Sequence, residues 1–392
     1  MIPDAVFITG MGVVSAAGIG VEASLASMAA SERNIAPVSL FSSPVKLPVF
    51  EVRGVPPRTR PGKMRTLDLL EIALAEALAS AGLNETAGLR IGVALGTTVA
   101  CQLNDLGFYS SFREKLAAPF ESVDGFLEGN LAEATARRLG LTGPTMVVVN
   151  ACSSGTDAIG AALSWLNAGL CDIAIAGGAD EMNRIPLAGF KALSVASSEP
   201  CRPFDKNRSG LNLGEGAGVL VMETAESAVK RGLKSTLHVC GYGSSADAYH
   251  LTAPHPEGEG LIRAVNAALR QANLQPADIA FINAHGTSTP DNDRVEGRAL
   301  LKLFGPEIKV LSTKGYTGHT LGAAGGIEAV FTAAGLSKGW IPGSAGFQAL
   351  DEEIGLLPTL GKTEIAGRYA LSTSLAFGGN NSALIIGLED SQ

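Results

Sequence analysis

Three short segments of this chain carry the residue types from which covalent acyl chemistry is built. Cys152 lies in NACSSGTDAIGAAL (Asn150–Leu163), directly after the β-branched run TMVVV, and so falls at a strand-to-helix junction. Backbone N–H groups and the helix dipole favour negative charge there, which predicts a thiol biased toward the nucleophilic thiolate. His285 follows a second apolar run in NAHGTSTP (Asn283–Pro290). Lys314 and His319 follow a third in TKGYTGHTLGAAGGIEA (Thr313–Ala329), with Glu328 on the helix beyond. A thiol and imidazoles are the parts of an acyl-transferring or hydrolytic site.

Taken singly, each residue has a plainer reading. A lone cysteine is ordinarily a small buried hydrophobe, a strand-end histidine a hydrogen-bonded structural residue, Lys314 a solvated loop charge and Glu328 a surface helix residue. Asp247, His250 and His255 have metal-like spacing, but Pro254 and Pro256 beside them favour an ordered loop, and no metal is expected. Gly10-x-Gly12 lacks the third glycine of a dinucleotide motif, and Gly214-x-Gly216 precedes a strand where that motif needs a helix. No nucleotide cofactor is expected.

The elements that must position these residues alternate in type. Strands are predicted at Val6–Thr9, Arg90–Leu95, Thr145–Val149, Asp172–Ala176, Val219–Met222, Ile279–Asn283, Lys309–Ser312 and Ala383–Ile386. Helices are predicted at Lys63–Ala81, Asn130–Leu139, Ser154–Ala168, Gly260–Asn273 and Gly322–Ser337, and the Pro-rich stretch Pro44–Pro61 reads as an ordered surface loop. This is the pattern of a parallel sheet covered by helices, where carboxyl ends of strands line the binding crevice, so the three segments can converge on one site.

The chain also repeats itself weakly, in the same order through both halves. ALASAGL (Ala77–Leu83) leads to LGTT (Leu95–Thr98) as ALRQANL (Ala268–Leu274) leads to HGTS (His285–Ser288). GMGVVS (Gly10–Ser15) resembles GYGSSA (Gly241–Ala246), and GEGAGVLVM (Gly214–Met222) resembles FGGNNSALII (Phe377–Ile386). Two related α/β halves are expected, residues 1–235 carrying the thiol and 236–392 the histidines.

Composition narrows the function classes. The 392 residues hold 30 Lys and Arg against 38 Asp and Glu, a net charge of −8, which argues against a nucleic-acid binder dominated by net charge. Apolar runs are interrupted by charges or paired glycines, so no membrane span is expected. Only 17% of residues are charged, which leaves a chain of this length short of solvated surface and favours an oligomer. Five cysteines without a CxxC pair or disulfide-framework spacing, and an N-terminus without signal-peptide features, fit a cytoplasmic protein.

Together the segments resemble the β-ketoacyl-acyl-carrier-protein synthases, elongating condensing enzymes of the thiolase-like superfamily. NACSSG matches the nucleophile motif, NAHGTSTPDND the first histidine motif, STKGYTGHTLGAAGGIEA the lysine and second histidine motif, and LAFGGNNSA the C-terminal glycine-rich loop. CRPFDKNRSGLNLGEGAGVLVME (Cys201–Glu223) is similar to the long mid-chain signature. The likeness spans essentially the whole chain. Elongating synthases pair Cys with two histidines, where thiolases have Cys-His-Cys and initiating synthases Cys-His-Asn. The chain departs from the family at Asn380, where Thr is usual, and at Val149–Asn150, where Asp-Thr or similar residues often precede Ala-Cys.

The resemblance implies a thiolase-like fold of duplicated βαβαβ halves in five α-β-α-β-α layers, and decarboxylative condensation of a Cys152-bound acyl chain with malonyl carrier protein, in fatty-acid or polyketide synthesis. It casts His285 and His319 as donors to the malonyl thioester, Lys314 and Glu328 as their support, Phe377 as oxyanion hole and gate, and Thr287 and Thr289 as supporting residues. It implies no metal or organic cofactor. Its partners are acyl carrier protein, docking at Lys63 and Arg65, and a second copy or a chain-length factor. Two alternatives stand beside it: a non-catalytic chain-length-factor-like subunit, which Cys152 argues against, and a Cys-His hydrolase or acyltransferase, which the second histidine and Lys314 argue against.

Overall fold

The computed structural model describes residues 5–56, 64–83, 88–100, 106–117 and 130–389. Glycine placement explains how its layers come so close together. The first strand, β1 (Val6–Ser15), carries Gly10 and Gly12 against the first long helix, α1 (Arg65–Ser80). A Cβ on Gly12 would stand 2.0 Å from the Ala73 carbonyl oxygen and one on Gly10 2.2 Å from that of Ala77. Only glycine lets helix and strand approach this far.

The same contact recurs in the second half, between β6 (Leu237–Ala246) and α5 (Glu259–Ala272), where Cβ atoms on Gly241 and Gly243 would lie 2.3 and 2.1 Å from the Ala268 and Ala264 carbonyls. The weak sequence repeat therefore encodes a repeated steric requirement.

The remaining principal strands are β2 (Ile91–Gly96), β3 (Thr145–Val148), β4 (Ile173–Asp180), β5 (Gly216–Thr224), β7 (Ile279–Asn283), β8 (Lys309–Leu311), β9 (Tyr369–Ala376) and β10 (Asn380–Leu388). Their order across the sheet is β3-β2-β4-β5-β1 followed by β6-β10-β9-β7-β8, one half mirroring the other. Matching pairs share direction: β2–β3 and β2–β4 are parallel like β7–β8 and β7–β9, while β4–β5 and β5–β1 are antiparallel like β9–β10 and β10–β6. The halves meet edge to edge through Val6↔Val239 and Phe7↔His238.

Two helices, α3 (Ser154–Asn167) and α7 (Ala324–Lys338), pack against strands of both halves and against each other. α1 covers the outer face of the first half and α5 that of the second. The result is the five-layer α-β-α-β-α thiolase-like arrangement. The central layer is also glycine-lined, since Gly155 of α3 faces Gly326 of α7. α7 buries every residue from Ala324 to Leu336, so its sequence has no polar face and its helical period is silent.

Several elements escape periodicity for identifiable reasons. β9 reads YALSTSLA, yet Ser372, Thr373 and Ser374 are buried, so the alternation that marks a strand is missing. α6 (Pro290–Phe304) starts on Pro-Asp-Asn-Asp inside the histidine motif, where its helix-start signal, Pro at the first turn, is overlaid by the chemistry-bearing residues. The expected surface loop Pro44–Pro61 is corrected in part: Leu47, Val49, Phe50 and Val52 are buried, and Phe50 N–H donates to the Leu213 carbonyl at 2.9 Å. Its residues 57–61 lie outside the described residues. No helix among the described residues is long and apolar enough to cross a membrane.

Because backbone lies against backbone, the glycine contacts cannot be relieved by rotamer changes. Gly12→Ala and Gly243→Ala are each expected to cost about 3 kcal/mol, the upper range for overpacking, measured by chemical denaturation. A loss below about 1 kcal/mol in both would show that the layers have slack.

Candidate active site

Cys152 follows β3 after a tight turn. Ala151 adopts a left-handed φ of 49°, which swings the next residue to the N-terminus of α3. The thiol is buried, and burial pushes its pKa up to about 12, with the Lys314 charge and the Phe377 N–H pulling the other way. This corrects the sequence expectation of a resting thiolate. Desolvation outweighs the Lys314 charge and the Phe377 N–H, which favours the neutral thiol.

His285 stands just past the end of β7. Its loop is held by Glu296 of α6, which accepts the His285 N–H and Gly286 N–H, both at 2.8 Å, and the Thr373 hydroxyl at 2.7 Å. Asp293, also on α6, accepts the Ser288 N–H at 3.0 Å and the Phe204 N–H at 2.7 Å. Neither carboxylate stands out in the sequence. The available signal is their spacing, one turn apart at the start of a helix directly after the histidine loop.

His319 enters from the loop between β8 and α7. Its Nδ1 accepts the Leu321 N–H at 3.2 Å, while Nδ1 of His285 accepts from the Lys314 ammonium at 3.0 Å. These partners assign the proton of each neutral ring to Nε2. Lys314 also donates to Glu328 in a fully buried ion pair. Burial first, then the Lys314 charge, holds both imidazoles well below the ordinary histidine range. Burial likewise drives Glu328 up to about 7, against the pull of Lys314.

The Cys152 sulfur and one ring nitrogen each of His285 and His319 lie within 4.8 Å of one another, and the two imidazoles meet edge to face at 5.2 Å. They open onto a cavity of about 290 Å³ whose wall includes Thr287, Thr289, Phe190 and Phe377. The Thr287 and Thr289 hydroxyls are 2.9 Å apart. Phe377 begins a loop with Gly378 and Gly379 at φ +86° and +81°, and its ring stacks on Phe190 at 5.5 Å. Phe190, on α4 (Arg184–Ala192), also approaches His319 edge-on; its segment carries no motif, so the sequence gives no hint of it. Asp180, at the end of β4, accepts from Thr97, Thr98, Val99 and Gly322 and so ties the loop after β2 to the segment before α7.

Cys152, His285, His319, Lys314, Glu328, Phe377, Thr287 and Thr289 thus converge. Lys63 lies outside the described residues, and Arg65 is corrected. Arg65 is buried and forms a bidentate pair with Glu215 at 2.8 and 2.7 Å, while Glu215 also accepts the Val52 and Met182 N–H groups. It pins α1 to the start of β5 and has no face left for a carrier protein. Asp247, His250 and His255 do not gather: Asp247 accepts the His255 backbone N–H, and His250 Nδ1 accepts two backbone N–H groups of its own loop.

Fold and site together define a thiolase-like protein with a Cys-His-His centre. Models of the β-ketoacyl synthase N-terminal domain and C-terminal domain match residues 4–228 and 237–348, and the chain belongs to the β-ketoacyl synthase family. It is 42% identical to 3-oxoacyl-[acyl-carrier-protein] synthase 2 of Staphylococcus aureus over 258 residues, 63% of this chain and 64% of that protein, slightly under two thirds of its length. It is 35% identical to the Vibrio cholerae protein of the same name over 409 residues, 97% of this chain and 98% of that one. Among solved structures, the ishigamide ketosynthase/chain length factor superposes with a TM-score of 0.90 at 30% identity, covering 99% of this chain and 100% of that one.

Removing Arg65 strands a buried carboxylate, so Arg65→Met is expected to cost roughly 3–5 kcal/mol in denaturant unfolding. An unchanged midpoint would contradict the buried pair.

The histidines give a second expected outcome. Because their folded pKa is depressed, the unfolded chain binds these protons more readily, and their burial lowers stability as pH falls below about 6.5. At pH 6, histidine NMR shifts should show His285 and His319 still neutral. A charged ring at pH 6 would overturn the tautomer assignment.

Proposed function

We propose that the protein is a 3-oxoacyl-[acyl-carrier-protein] synthase, extending an acyl chain by two carbons through decarboxylative Claisen condensation. The observation that carries this reading is that both imidazoles accept a hydrogen bond at Nδ1, which leaves Nε2–H of each ring as the donor for the cavity that both rings line together with the thiol. Two aimed donors suit an enolate oxygen. Neither ring has a free lone pair to take the thiol proton, which argues against a Cys-His hydrolase.

The Cys152 sulfur attacks the acyl carrier thioester, and the tetrahedral oxyanion is stabilised by the Cys152 and Phe377 N–H groups. The carbon–sulfur bond to the carrier breaks, and the carrier thiol leaves with the proton that Cys152 gives up. Malonyl carrier protein then places its thioester oxygen between the Nε2–H groups of His285 and His319. The bond to the carboxylate breaks, carbon dioxide leaves, and its electron pair becomes the enolate. The enolate carbon attacks acyl-Cys152, a carbon–carbon bond forms, and the carbon–sulfur bond breaks, so that the Cys152 sulfur departs as thiolate and takes a proton from solvent. Lys314 and Glu328 hold the His285 tautomer, and Thr287 and Thr289 support the cavity wall. No metal or organic cofactor enters these steps.

In this reading residues 1–235 supply the nucleophile and 236–392 the histidines. Acyl carrier protein is the substrate carrier, as the relatives' names suggest. A second copy or a chain-length factor pairs with β3, which ends the sheet and exposes Met146, with Val149 exposed just beyond it. Similarity to the ishigamide ketosynthase/chain length factor supports the second of these. The free thiols of Cys152, Cys171, Cys201 and Cys240 suit a reducing cytoplasm.

Cys152→Ala is expected to abolish condensation while malonyl carrier protein is still decarboxylated. His285→Ala or His319→Ala should slow decarboxylation by roughly 10²-fold, the loss typical of one oxyanion donor, with Cys152 acylation less affected. Condensation by the Ala variant, or acylation collapsing while decarboxylation survives, would reassign the residues.

A further inference from the structure

Asp157 lies five residues beyond Cys152 on α3 and outside the cavity, yet it is the hub of a hydrogen-bond network around the nucleophile. Its Oδ2 accepts the Asn150 side-chain amide at 2.6 Å and the Ser153 hydroxyl at 2.8 Å. Its Oδ1 accepts the Tyr242 hydroxyl at 2.8 Å and the Ser382 hydroxyl. Asn150 and Ser153 bracket Ala151 and Cys152, the turn whose left-handed φ of 49° is unfavourable for a residue with a Cβ. Further bonds tighten that turn: Asn150 N–H donates to the Ser154 hydroxyl at 2.8 Å, and the Ser154 hydroxyl donates to the Ala151 carbonyl at 2.6 Å.

The other oxygen faces the second half. Tyr242 belongs to β6 and Ser382 to β10, which begins directly after the Phe377–Gly379 loop. The same loop brings the Phe377 N–H to Cys152. Tyr242 can reach across because Gly160 leaves room for its ring; a Cβ there would stand 2.5 Å from Tyr242 Cδ1. One carboxylate therefore grips the nucleophile turn with one oxygen and the base of the glycine-rich loop with the other.

We infer that Asp157 is a positioning residue that sets the Cys152 thiol against the Phe377 N–H by tying the nucleophile turn of one half to β6 and β10 of the other. The departure from the family pattern at Asn150 belongs to this device, since the Asn150 amide is the donor that Asp157 holds. The inference rests on the reading of Cys152 as acyl acceptor. It concerns the acylation half-reaction, because His285 and His319 are held by Lys314, Glu296 and Leu321 and not by Asp157.

The test separates the two half-reactions in Asp157→Ala and Asn150→Ala, the second of which keeps the Asp157 charge. Acylation of Cys152 from an octanoyl N-acetylcysteamine thioester should fall at least 10-fold in rate with KM changed less than threefold. Decarboxylation of malonyl carrier protein should stay within threefold of wild type. Acylation within threefold of wild type in both variants, or both half-reactions falling in step, would overturn the inference.

If Asp157→Ala does not fold, Tyr242→Phe and Ser382→Ala each remove one donor. Selective loss of acylation in either supports the proposal, and its absence from both overturns it. If the wild-type protein accepts no acyl group, the proposed function fails by itself. The rate of Cys152 alkylation by iodoacetamide then decides: slower in Asn150→Ala sustains the positioning role, and an equal rate removes it.

Discussion

The Lys314 ammonium is the group on which the site depends. It is buried, and an isolated charge there would be prohibitive, so the fold supplies Glu328 as counter-ion and the Nδ1 lone pair of His285 as a further acceptor. That placement has chemical consequences. It fixes the His285 tautomer, adds to burial in keeping both histidines uncharged, and lowers the cost of forming negative charge on the sulfur nearby. Breaking any member leaves another uncompensated in a low-dielectric interior, so the cluster behaves as one unit.

Buried carboxylates solve a second problem common to sites at the ends of strands. Loops that leave a sheet carry N–H groups without ladder partners, and in the interior these must be paired. Glu296 and Asp293 satisfy the His285 loop, Asp180 the loops at Thr97–Val99 and Gly322, and Glu215 the backbone at Val52 and Met182. Burial raises Asp180 and Asp293 to about 6, against the hydrogen bonds that favour their charged forms. Each carboxylate makes several bonds to backbone or hydroxyl groups, so the loops are held by geometry as well as charge.

The mirrored halves divide this labour unequally. Equivalent strands β2 and β7 end in different chemistry: Thr97 and Thr98 bind Asp180 in the first half, whereas His285 faces the cavity in the second. The glycine contacts that repeat between halves concern packing alone. Chemistry arises where the halves touch, through α3 and α7, and neither half alone assembles a thiol with two imidazoles.

The sequence by itself determined the chemical parts and the coarse fold. Cys152, His285, Lys314, His319 and Glu328 stand in contiguous motifs, and strands such as Ile279–Asn283 are apolar enough to be read directly. The repeat was legible because glycine has no substitute where a helix backbone touches a strand. Tertiary structure alone decided the ionisation of the thiol, since desolvation depends on what covers Cys152 and not on its place at a helix start. It alone decided the fate of Arg65, whose buried partner Glu215 lies 150 residues away. It also revealed Asp157 and Phe190, whose partners come from distant segments; no local pattern records a contact that exists only when two halves of a chain close on one another.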